Sequence, residues 1–313
     1  MGAKPLTYLF LIEIGNKLRI KGCDLMKFNA KDLADRWKQE LKEEVKKLPK
    51  KPKMAIIIAK GYSEASSVYV NNKIKVCEQI GVDVLLFEYD EWANKSKIEN
   101  LTYLINILNN DNGVHGIIVQ KPFPTLTDKD IDNLILPKKD IDGFTNHNKG
   151  ALLAKDDNAL IPATALGCSK IIEEVFGKDL SEKKAVILNR SGLIGLPLQG
   201  ILINNNCTVT TIHSRTSKID VDMELKNADI VITGCGKRKL FNHKDIGERC
   251  KLIIDCSMAK VEGVKGVGDV DLEDILLHRP DIIISSGYGQ TGILTTVALV
   301  DNLIQAYKLN RGE

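Results

Sequence analysis

Short apolar runs alternate with segments of helical spacing along most of this chain, and this alternation limits the folds that it can form. The first apolar runs, at 54–59, 82–87 and 114–119, have the length of buried strands. The segments at 66–79 and 97–108 carry apolar residues at helical spacing. Strands that alternate with helices pair in parallel, because each helix crosses over the sheet before the next strand begins. The sequence therefore predicts an α/β fold.

The alternation breaks after residue 119 and then begins again. Pro122 and Pro124 end the third strand, since proline cannot donate to a sheet ladder. The rest of the chain is predicted to have a short helix at 128–134, strands at 185–188, 207–212, 229–233, 252–255 and 282–285, a helix at 195–204, and a final amphipathic helix at 297–308. We therefore expect two α/β lobes with a cleft between them, the second a Rossmann-like, doubly wound parallel sheet.

The length of 313 residues also favours two domains, because single hydrophobic cores seldom grow beyond about 250–300 residues. The first, catalytic domain is predicted to cover residues 1–163 and to be completed by a C-terminal helix at 295–313. The second, nucleotide-binding domain is predicted to cover residues 164–294. Hinges are expected near Pro162 and Leu294.

The composition is that of an ordinary soluble enzyme, with 43% hydrophobic and 27% charged residues. A net charge of +3 is too small to indicate nucleic-acid binding. The basic run at 46–53 is interpreted as a solvated helix end and, secondarily, as an attraction for a polyanionic substrate. The apolar segment at 8–12 is followed by Glu13 and is far too short to span a bilayer, so a strand or packing segment is expected there.

Seven cysteines, an odd number without a C-x-x-C pair, are expected to be reduced thiols. This pattern argues against a disulfide framework and against a structural zinc site, and most of the thiols are expected to be small buried hydrophobes. Since no targeting segment or transmembrane helix is predicted either, we expect a soluble, cytoplasmic protein. The sequence shows no metal-ligand spacing, so no metal is expected.

A turn with glycine and serine follows the strand predicted at 185–188. The turn contains Arg190, Ser191, Gly192 and Gly195 and leads directly into a helix. A strand, a tight turn and a helix together point backbone N–H groups and the positive end of a helix dipole at a diphosphate. Only part of the G-x-G-x-x-G fingerprint is present, so an ordinary strand–helix turn remains the alternative.

The next strand indicates which dinucleotide is bound. About 20 residues beyond the turn, an NAD site places an acidic residue against the ribose hydroxyls, whereas this chain has Ser214 and Arg215. Guanidinium and hydroxyl groups bind a 2′-phosphate, which a carboxylate repels. Arg190 adds a second positive charge near the same edge of the sheet. NADP is therefore favoured over NAD, and a merely exposed Arg215 is the alternative.

Four polar residues form a second candidate site, one that can move protons. Tyr69 and Lys73 stand one turn apart on a predicted helix. Gln120 lies at the carboxyl end of a buried strand, where open α/β sheets bind ligands. A lysine in a partly dry cleft has a lowered pKa and can act as a general base or acid. Asp142 is a carboxylate suited to bind an N–H-rich heterocycle through paired hydrogen bonds.

A Tyr-x-x-x-Lys pair taken alone is more often structural than catalytic, and it gains weight here from the other polar residues and the nucleotide turn. The same pair occurs in short-chain dehydrogenases, where the glycine-rich turn opens the chain and the pair comes much later. In this sequence Tyr69 and Lys73 precede the turn. The order therefore excludes that family.

These segments, in this order, resemble the bifunctional methylenetetrahydrofolate dehydrogenase/methenyltetrahydrofolate cyclohydrolase family. The resemblance covers nearly the whole chain, from about residue 18 to residue 307. The segments that carry it are 66–73, 116–122, 137–144, 148–150, Arg190-Ser191 with Gly195-x-Pro197, and 268–270.

The resemblance implies two linked reactions in one cleft. A hydride passes from the methylene bridge of methylenetetrahydrofolate to NADP, and water then opens the methenyl cation to formyltetrahydrofolate. By this resemblance, Lys73 activates water and handles the proton, while Gln120 holds and tunes that lysine. Tyr69 stacks on or orients the aminobenzoyl part, and Asp142 binds the pterin.

Further ligands and partners are implied in the same way. Thr164 joins the cofactor site, and Gly289, Gly292 and Thr295 join the folate site. The expected partners are one-carbon derivatives of tetrahydrofolate, which can carry polyglutamate tails, and a second copy of the chain in a homodimer. The pathway implied is one-carbon metabolism, including purine biosynthesis.

The chain also departs from the family's pattern. Asn189 stands where the family has glycine and is expected to crowd the diphosphate, and 162–165 reads Pro-Ala-Thr-Ala instead of Pro-Cys-Thr-Pro. The loop at 286–295 has lost every proline and is expected to be more mobile. Lys121 replaces a residue that is usually leucine, which puts a charge beside Gln120.

Three hypotheses follow. The favoured one is an active but divergent bifunctional enzyme, since four catalytic-type residues are retained. The lost prolines and Asn189 motivate the second, a family member with weak or single-step activity that serves as a nucleotide-binding scaffold or regulatory dimer. The third is a dehydrogenase for another small substrate, and it is disfavoured because a simple hydroxy acid has no pterin for Gln120 and Asp142 to bind.

Overall fold

The computed structural model describes residues 12–14, 17–20, 23–24, 28–61, 63–89, 97–123, 127–257, 259–261, 264–286 and 290–311. As far as they are described, the residues fall into two compact units. The first unit takes in 31–179, 191–205 and 291–313, and the second unit takes in 1–30, 180–190 and 206–290. The domain boundary expected near residue 163 stays a prediction.

Most of the described residues lie in helices and strands. The strands are β1 (Ile12–Ile14), β2 (Lys17–Ile20), β3 (Cys23–Asp24), β4 (Lys53–Ala59), β5 (Asp83–Tyr89), β6 (Gly116–Val119), β7 (Lys184–Leu188), β8 (Thr208–Thr211), β9 (Ile230–Thr233), β10 (Leu252–Asp255), β11 (Ala259–Val261), β12 (Val264–Val267) and β13 (Ile283–Ser285). The helices are α1 (Ala30–Lys47), α2 (Glu64–Ile80), α3 (Lys97–Asn110), α4 (Asp128–Leu134), α5 (Asn146–Leu153), α6 (Ala163–Phe176), α7 (Gly195–Asn204), α8 (Lys218–Asn227), α9 (Leu272–His278) and α10 (Gln290–Arg311), with a 3-10 helix at Pro137–Lys139. Each element that the alternation predicts is present, and α10 extends furthest beyond its predicted range.

The first unit is built on a three-stranded parallel sheet with the order β5–β4–β6. Ile56 and Ile57 of the central strand pair with residues on both sides and are fully buried. Apolar side chains from β4, β6, α3 and α4 form one cluster, which includes Leu101, Ile105 and Ile117. Burial on both faces explains why β4 is apolar throughout instead of alternating with polar residues.

The C-terminal helix α10 packs within the first unit. The side-chain amide of Asn302 donates to the carbonyls of Ile141 and Ile161, at 2.8 and 2.7 Å. The ring centroids of Tyr307 and His115 lie 4.6 Å apart. The hydrogen bond to Ile141 holds the loop after the 3-10 helix, which carries one of the predicted site residues, against α10.

The second unit contains a five-stranded parallel sheet with the order β13–β10–β9–β7–β8. Counted from β7, this is the 2-1-3-4-5 strand order of doubly wound folds, whose ligands bind at the switch point between the first and third strands. All residues of β9 and β10 are buried. The predicted Rossmann-like parallel sheet is confirmed, and its switch point lies between β7 and β9.

Two small antiparallel arrangements were not predicted. They are the sheet β1–β2–β3 and the pair β11–β12. Of the apolar segment at 8–12, residues 8–11 lie outside the described residues, and β1 begins at Ile12. Within the described parts of the chain, none of the helices combines the length and the hydropathy that a membrane span requires.

Gly143 and Gly81 offer a matched test of local packing, because both have positive φ angles, of 72° and 97°. A Cβ on Gly143 would lie 2.5 Å from the backbone nitrogen of Pro162, whereas one on Gly81 would meet nothing within 4 Å. We expect Gly143→Ala to lower the free energy of unfolding by about 3 kcal/mol, because strain and overlap add, and Gly81→Ala to lower it by about 1 kcal/mol through strain alone. Urea denaturation measures both losses, and equal losses would contradict the overlap.

Candidate active site

Helix α2 positions Tyr69 and Lys73. It begins after Ser63, whose Oγ accepts a hydrogen bond from the backbone N–H of Ser66 at 3.3 Å, and it ends at Gly81 in the left-handed conformation. Residues four apart lie on the same face of a helix. Tyr69 is 48% exposed, whereas Lys73 is half-buried. The pair therefore shares one face of α2, and the amine is the more enclosed of the two groups.

Gln120 stands directly after β6, at the carboxyl edge of the first unit's sheet. Its backbone N–H donates to the carbonyl of Ile57 at 2.8 Å, which extends the pairing with β4 by one residue. Its Nε2 donates to the carbonyl of Lys121 at 2.8 Å, and its Oε1 accepts a hydrogen bond from Lys73 Nζ at 2.9 Å. Because Nε2 binds a carbonyl, the amide is oriented with its oxygen toward the amine. The structure thus brings Lys73 and Gln120 together.

Asp142 lies in a loop that a neighbouring acid holds in place. Asp140 forms a parallel bridge with Ile117 of β6. The carboxylate of Asp140 accepts hydrogen bonds from Thr145 N at 2.7 Å and from Asn148 Nδ2 at 2.9 Å. These bonds fix the loop beside β6, so Asp140 is a supporting residue of the site that was not predicted.

Lys73 and Asp142 influence each other's protonation. Burial lowers the pKa of Lys73, and the charges of Asp142 and Cys77 oppose this shift. Burial also raises the pKa of Asp142, and the charge of Lys73 is the first influence that opposes it. The direction for Lys73 agrees with the prediction from the sequence. An amine that loses its proton more readily than in water can exchange protons with a bound substrate or a water molecule.

The ammonium of Lys121 is paired inside the first unit. Its Nζ lies 2.7 Å from a carboxylate oxygen of Asp132 and 4.6 Å from the ring centroid of Phe144. The charge expected beside Gln120 is thus partly neutralised by an acid that was not predicted. Lys121 still acts on the site at longer range, because its charge lowers the pKa of Asp142 against the effect of burial.

In the second unit, the loops after β7 and β9 are joined at the switch point. The side-chain amide of Asn189 donates to the carbonyl of Gly234 at 2.6 Å. Arg190 follows and is exposed. Asn189 therefore directs its amide to the neighbouring loop, where it links the carboxyl ends of two strands.

The predicted ligands of the 2′-phosphate follow β8, which pairs with β7 in parallel. The N–H of His213 donates to Thr216 Oγ1 at 3.0 Å, and the N–H of Thr216 donates to the carbonyl of His213 at 2.9 Å. This closed turn has Ser214 and Arg215 at its tip, and both are exposed. The hydroxyl and the guanidinium are therefore accessible to an anion at the carboxyl edge of the sheet.

The turn before α7 contains the other predicted phosphate ligands, Ser191, Gly192 and Gly195. Ser191 Oγ accepts a hydrogen bond from the N–H of Ile194 at 3.2 Å, and α7 begins at Gly195. A Cβ on Gly192 would lie 3.9 Å from Lys149 Nζ, so an ammonium that was not predicted is close to this turn. A helix start with a cation beside it favours an anion.

The remaining predicted residues are Thr164, Thr295, Gly292 and Gly289. Thr295 Oγ1 lies 3.4 Å from Thr164 Oγ1, which joins the start of α6 to α10 within the first unit. Gly292 is exposed in the first turn of α10. Gly289 and the adjoining part of the proline-free loop, which is expected to be mobile, lie outside the described residues.

A buried carboxylate that was not predicted shapes the loop after β9. Asp269 is fully buried and accepts hydrogen bonds from the backbone N–H groups of Cys235 at 2.6 Å and Lys237 at 2.7 Å. It also accepts one from the hydroxyl of Thr233. The acid in the motif at 268–270 was the signal that could have pointed to this role.

A lysine–amide–carboxylate site on one parallel sheet and a doubly wound nucleotide-binding sheet in the same chain define a two-part α/β enzyme of the dehydrogenase type. Residues 28–142 match the model of the tetrahydrofolate dehydrogenase/cyclohydrolase catalytic domain, and residues 162–311 match that of its NAD(P)-binding domain. The chain belongs to the tetrahydrofolate dehydrogenase/cyclohydrolase family.

Individual relatives agree with this assignment. The bifunctional protein FolD of Rickettsia bellii is 37% identical over 286 residues, which cover 90% of this chain and 98% of the relative. The crystal structure of the bifunctional 5,10-methylenetetrahydrofolate dehydrogenase/cyclohydrolase from Thermoplasma acidophilum has a TM-score of 0.82 and 26% identity, and covers 91% of this chain and 98% of its own. The Trypanosoma brucei dehydrogenase-cyclohydrolase complexed with NADP and an inhibitor has a TM-score of 0.78 and 26% identity, over 92% of this chain and 99% of its own. The resemblance seen in the sequence is confirmed, together with the fold class and the enzyme class.

Two isosteric substitutions should move the pKa of Lys73 in opposite directions. Gln120→Glu puts a carboxylate at the acceptor 2.9 Å from Nζ and is expected to raise this pKa, whereas Asp142→Asn removes a charge that raises it and is expected to lower it further. NMR titration of the labelled lysine, assigned with Lys73→Arg, measures both shifts. Movement in the same direction would rule out this electrostatic arrangement.

Proposed function

We propose that one site in this chain carries out both reactions of its family. These are the NADP-dependent oxidation of methylenetetrahydrofolate to methenyltetrahydrofolate and the hydrolysis of that product to formyltetrahydrofolate. The observation that carries the proposal is the hydrogen bond from Lys73 Nζ to Gln120 Oε1, made by an amine whose pKa is lowered by burial. Water activation needs a base that can be neutral near the working pH, and burial of the Lys73 amine favours its neutral form.

The folate is held by side chains on the same edge of the first unit's sheet. Asp142 is half-buried in a fixed loop, so its carboxylate can accept paired hydrogen bonds from the N–H groups of a pterin. Tyr69 has an exposed ring on the face of α2 that carries Lys73, and this ring is proposed to stack on or orient the aminobenzoyl group. Gly292 and Thr295 are proposed as further contacts, together with Gly289.

The cofactor ligands are proposed from the charges and hydroxyls that the structure exposes. Ser214 and Arg215 bind the 2′-phosphate, because their turn offers a hydroxyl and a guanidinium and contains no carboxylate. Arg190 adds a positive charge after the neighbouring strand. The turn at 191–195 and Thr164 supply the remaining contacts. NADP, when bound, accepts the hydride from the methylene carbon of the folate.

In the hydrolytic step, Lys73 is proposed to be the general base. One N–H of the amine is engaged with Gln120, so the lone pair of the neutral amine is directed elsewhere and can take a proton from water. As that proton leaves, the water oxygen bonds to the methenyl carbon. The second hydrogen of the water is then transferred to one of the two nitrogens as the bond between that nitrogen and the carbon breaks, which leaves the formyl group on the other nitrogen. One proton is released for each water consumed, and Lys73 returns to its neutral form.

Lys73→Ala is expected to lower the rate of methenyltetrahydrofolate hydrolysis by about 10² or more, because it removes the general base. Lys75 is an exposed lysine on the same helix and gives a matched control, so Lys75→Ala should keep the rate. The loss of methenyltetrahydrofolate absorbance measures hydrolysis, with background hydrolysis subtracted. Undiminished hydrolysis by Lys73→Ala would reject the assignment of the base.

Arg215→Ala is expected to lower kcat/KM for NADP by about tenfold to a hundredfold, because a charged hydrogen bond to the phosphate is lost. The value for NAD should stay nearly unchanged, since NAD has no phosphate at this position. Lys218→Ala removes a charge three residues later, where the ammonium pairs with Asp222, and serves as the control. Absorbance of the reduced cofactor reports both reactions. Equal losses with NADP and NAD would contradict the 2′-phosphate role.

Several finer proposals rest on family membership. The proposed folate-binding domain consists of residues 1–163 with 295–313, and the proposed NADP-binding domain consists of residues 164–294. The enzyme is proposed to be a cytoplasmic homodimer. Its proposed pathway is one-carbon metabolism that supplies purine biosynthesis. Polyglutamate tails are proposed to be attracted by the basic run at 46–53, whose first lysines close α1. Sedimentation of the full chain at increasing concentrations tests the homodimer, and KM values for folates with and without tails test the attraction.

The alternative of a weakly active scaffold is not favoured. It was motivated partly by Asn189, whose amide is engaged with Gly234. The pair of Lys73 and Gln120 is intact, and a protein retained only for scaffolding has no need of a lysine whose pKa is lowered by burial. Nucleotide binding without turnover of either folate would restore this alternative.

A further inference from the structure

Away from the nucleotide turn, the second unit brings two histidines and a carboxylate together near its surface. His243 lies in the loop after Phe241, and Asp274 and His278 lie one turn apart on α9. One ligand atom from each of the three lies within 4.8 Å of the others. His243 and Asp274 are half-buried, and His278 is exposed. The sequence analysis did not identify this cluster, because His243 lies 31 residues before Asp274.

The carboxylate of Asp274 is already oriented by His243. Its Oδ2 accepts a hydrogen bond from the backbone N–H of His243 at 2.8 Å and lies 2.6 Å from His243 Nδ1. Its Oδ1 lies 3.4 Å from His278 Nδ1. The two imidazole rings are stacked, with centroids 3.9 Å apart and an interplanar angle of 15°. Two nitrogen ligands and an oxygen ligand thus converge on one patch.

Asp274 contributes a carboxylate whose two oxygens face the two imidazole rings, Oδ2 toward His243 and Oδ1 toward His278. Arg279 is next in sequence to the cluster, but its guanidinium is bound to Asp281 at 2.9 Å and to the carbonyl of Gly247 at 2.9 Å. This guanidinium is therefore committed to other partners.

The two elements that supply the side chains are anchored in the core beneath them. Phe241 pairs with Val270 in a parallel bridge, and the N–H of Asp271 donates to the carbonyl of Phe241 at 3.0 Å. Phe241, Val270 and Ile275 are buried in one apolar cluster. This packing fixes the loop against the start of α9, so little ordering remains for a ligand to impose.

We propose that His243, Asp274 and His278 bind one divalent transition-metal cation, with Zn²⁺ as the probe. Imidazole nitrogens combined with one carboxylate oxygen suit Zn²⁺ and its neighbours, whereas Mg²⁺ and Ca²⁺ prefer sites made of oxygen. Bonds of about 2.0–2.2 Å bring the ligand atoms to about 3.3 Å from one another, so the rings must rotate out of their stack. His278 is exposed at the end of α9 and can do so. Water completes the coordination, which leaves a bound cation exposed on this face.

Titration calorimetry of the full chain, freed of metal by a chelator, tests the site with Zn²⁺ and with Mg²⁺. We expect one equivalent of Zn²⁺ to bind and Mg²⁺ to give no heat. His278→Ala should weaken Zn²⁺ binding by at least about tenfold, since one ligand is lost. His147→Ala removes another exposed histidine and should leave binding unchanged. Equal affinity in wild type and His278→Ala, or no binding at all, would overturn the proposal.

Two further measurements keep the result specific. Cys235 is an exposed thiol and a competing ligand for Zn²⁺. If the histidines and Asp274 form the site, Cys235→Ser retains the full affinity. Loss of binding in this variant would overturn the proposal. The absorption spectrum of bound Co²⁺ gives the second measurement. Co²⁺ bound to nitrogen and oxygen ligands has no thiolate charge-transfer band, and the appearance of such a band would overturn the proposal. His278→Ala changes an exposed residue at a helix end, and circular dichroism verifies that the variant is folded.

Discussion

The hydrogen bond between Lys73 and Gln120 joins two elements that are distant in sequence, and the chemistry proposed for the first unit depends on it. β6 delivers the amide at the carboxyl edge of a parallel sheet, and α2 carries the amine to the same edge. Burial makes the ammonium form costly, whereas the amide oxygen and the charge of Asp142 favour it. The amine therefore lies between two opposing influences. Burial alone would favour the neutral amine, and the polar partners alone would favour the ammonium.

The parts of the fold that follow from burial were predictable from the sequence. β9 and β10 are buried throughout, and each has three β-branched or leucine residues in a row, a short apolar run that favours a buried strand. α8 was missed because it buries Leu225 but few other side chains, so its sequence has little apolar periodicity. α6 was missed for the opposite reason, since it is apolar on several sides and begins after Pro162 without a capping side chain. Neither helix has the one-sided apolar stripe from which helices are recognised.

Residues proposed to touch the reactants were easier to predict than those that support them. Gln120 follows a buried strand, and the carboxyl ends of parallel strands are where ligands bind, so position alone identified it. Asp140 and Asp269 are also acids near strand ends, yet Asp140 binds a backbone N–H group of its own loop and Asp269 binds two of the loop after β9. In the sequence, a loop carboxylate that binds a reactant looks the same as one that binds backbone N–H groups. Only the hydrogen-bond partners distinguish the two roles, and these partners depend on contacts between segments far apart in the chain.

The departures from the family's pattern are accommodated by local partners. The ammonium of Lys121 has acquired Asp132 and the face of Phe144, and the amide of Asn189 has the carbonyl of Gly234. A polar group left buried without a partner costs about 1–3 kcal/mol, which a marginally stable protein tolerates only rarely. Each substituted residue avoids this cost by binding a partner in a neighbouring element, so neither has to disturb the sheet edges. The constraint at these sheet edges therefore falls on a few hydrogen bonds and not on the composition of the loops around them.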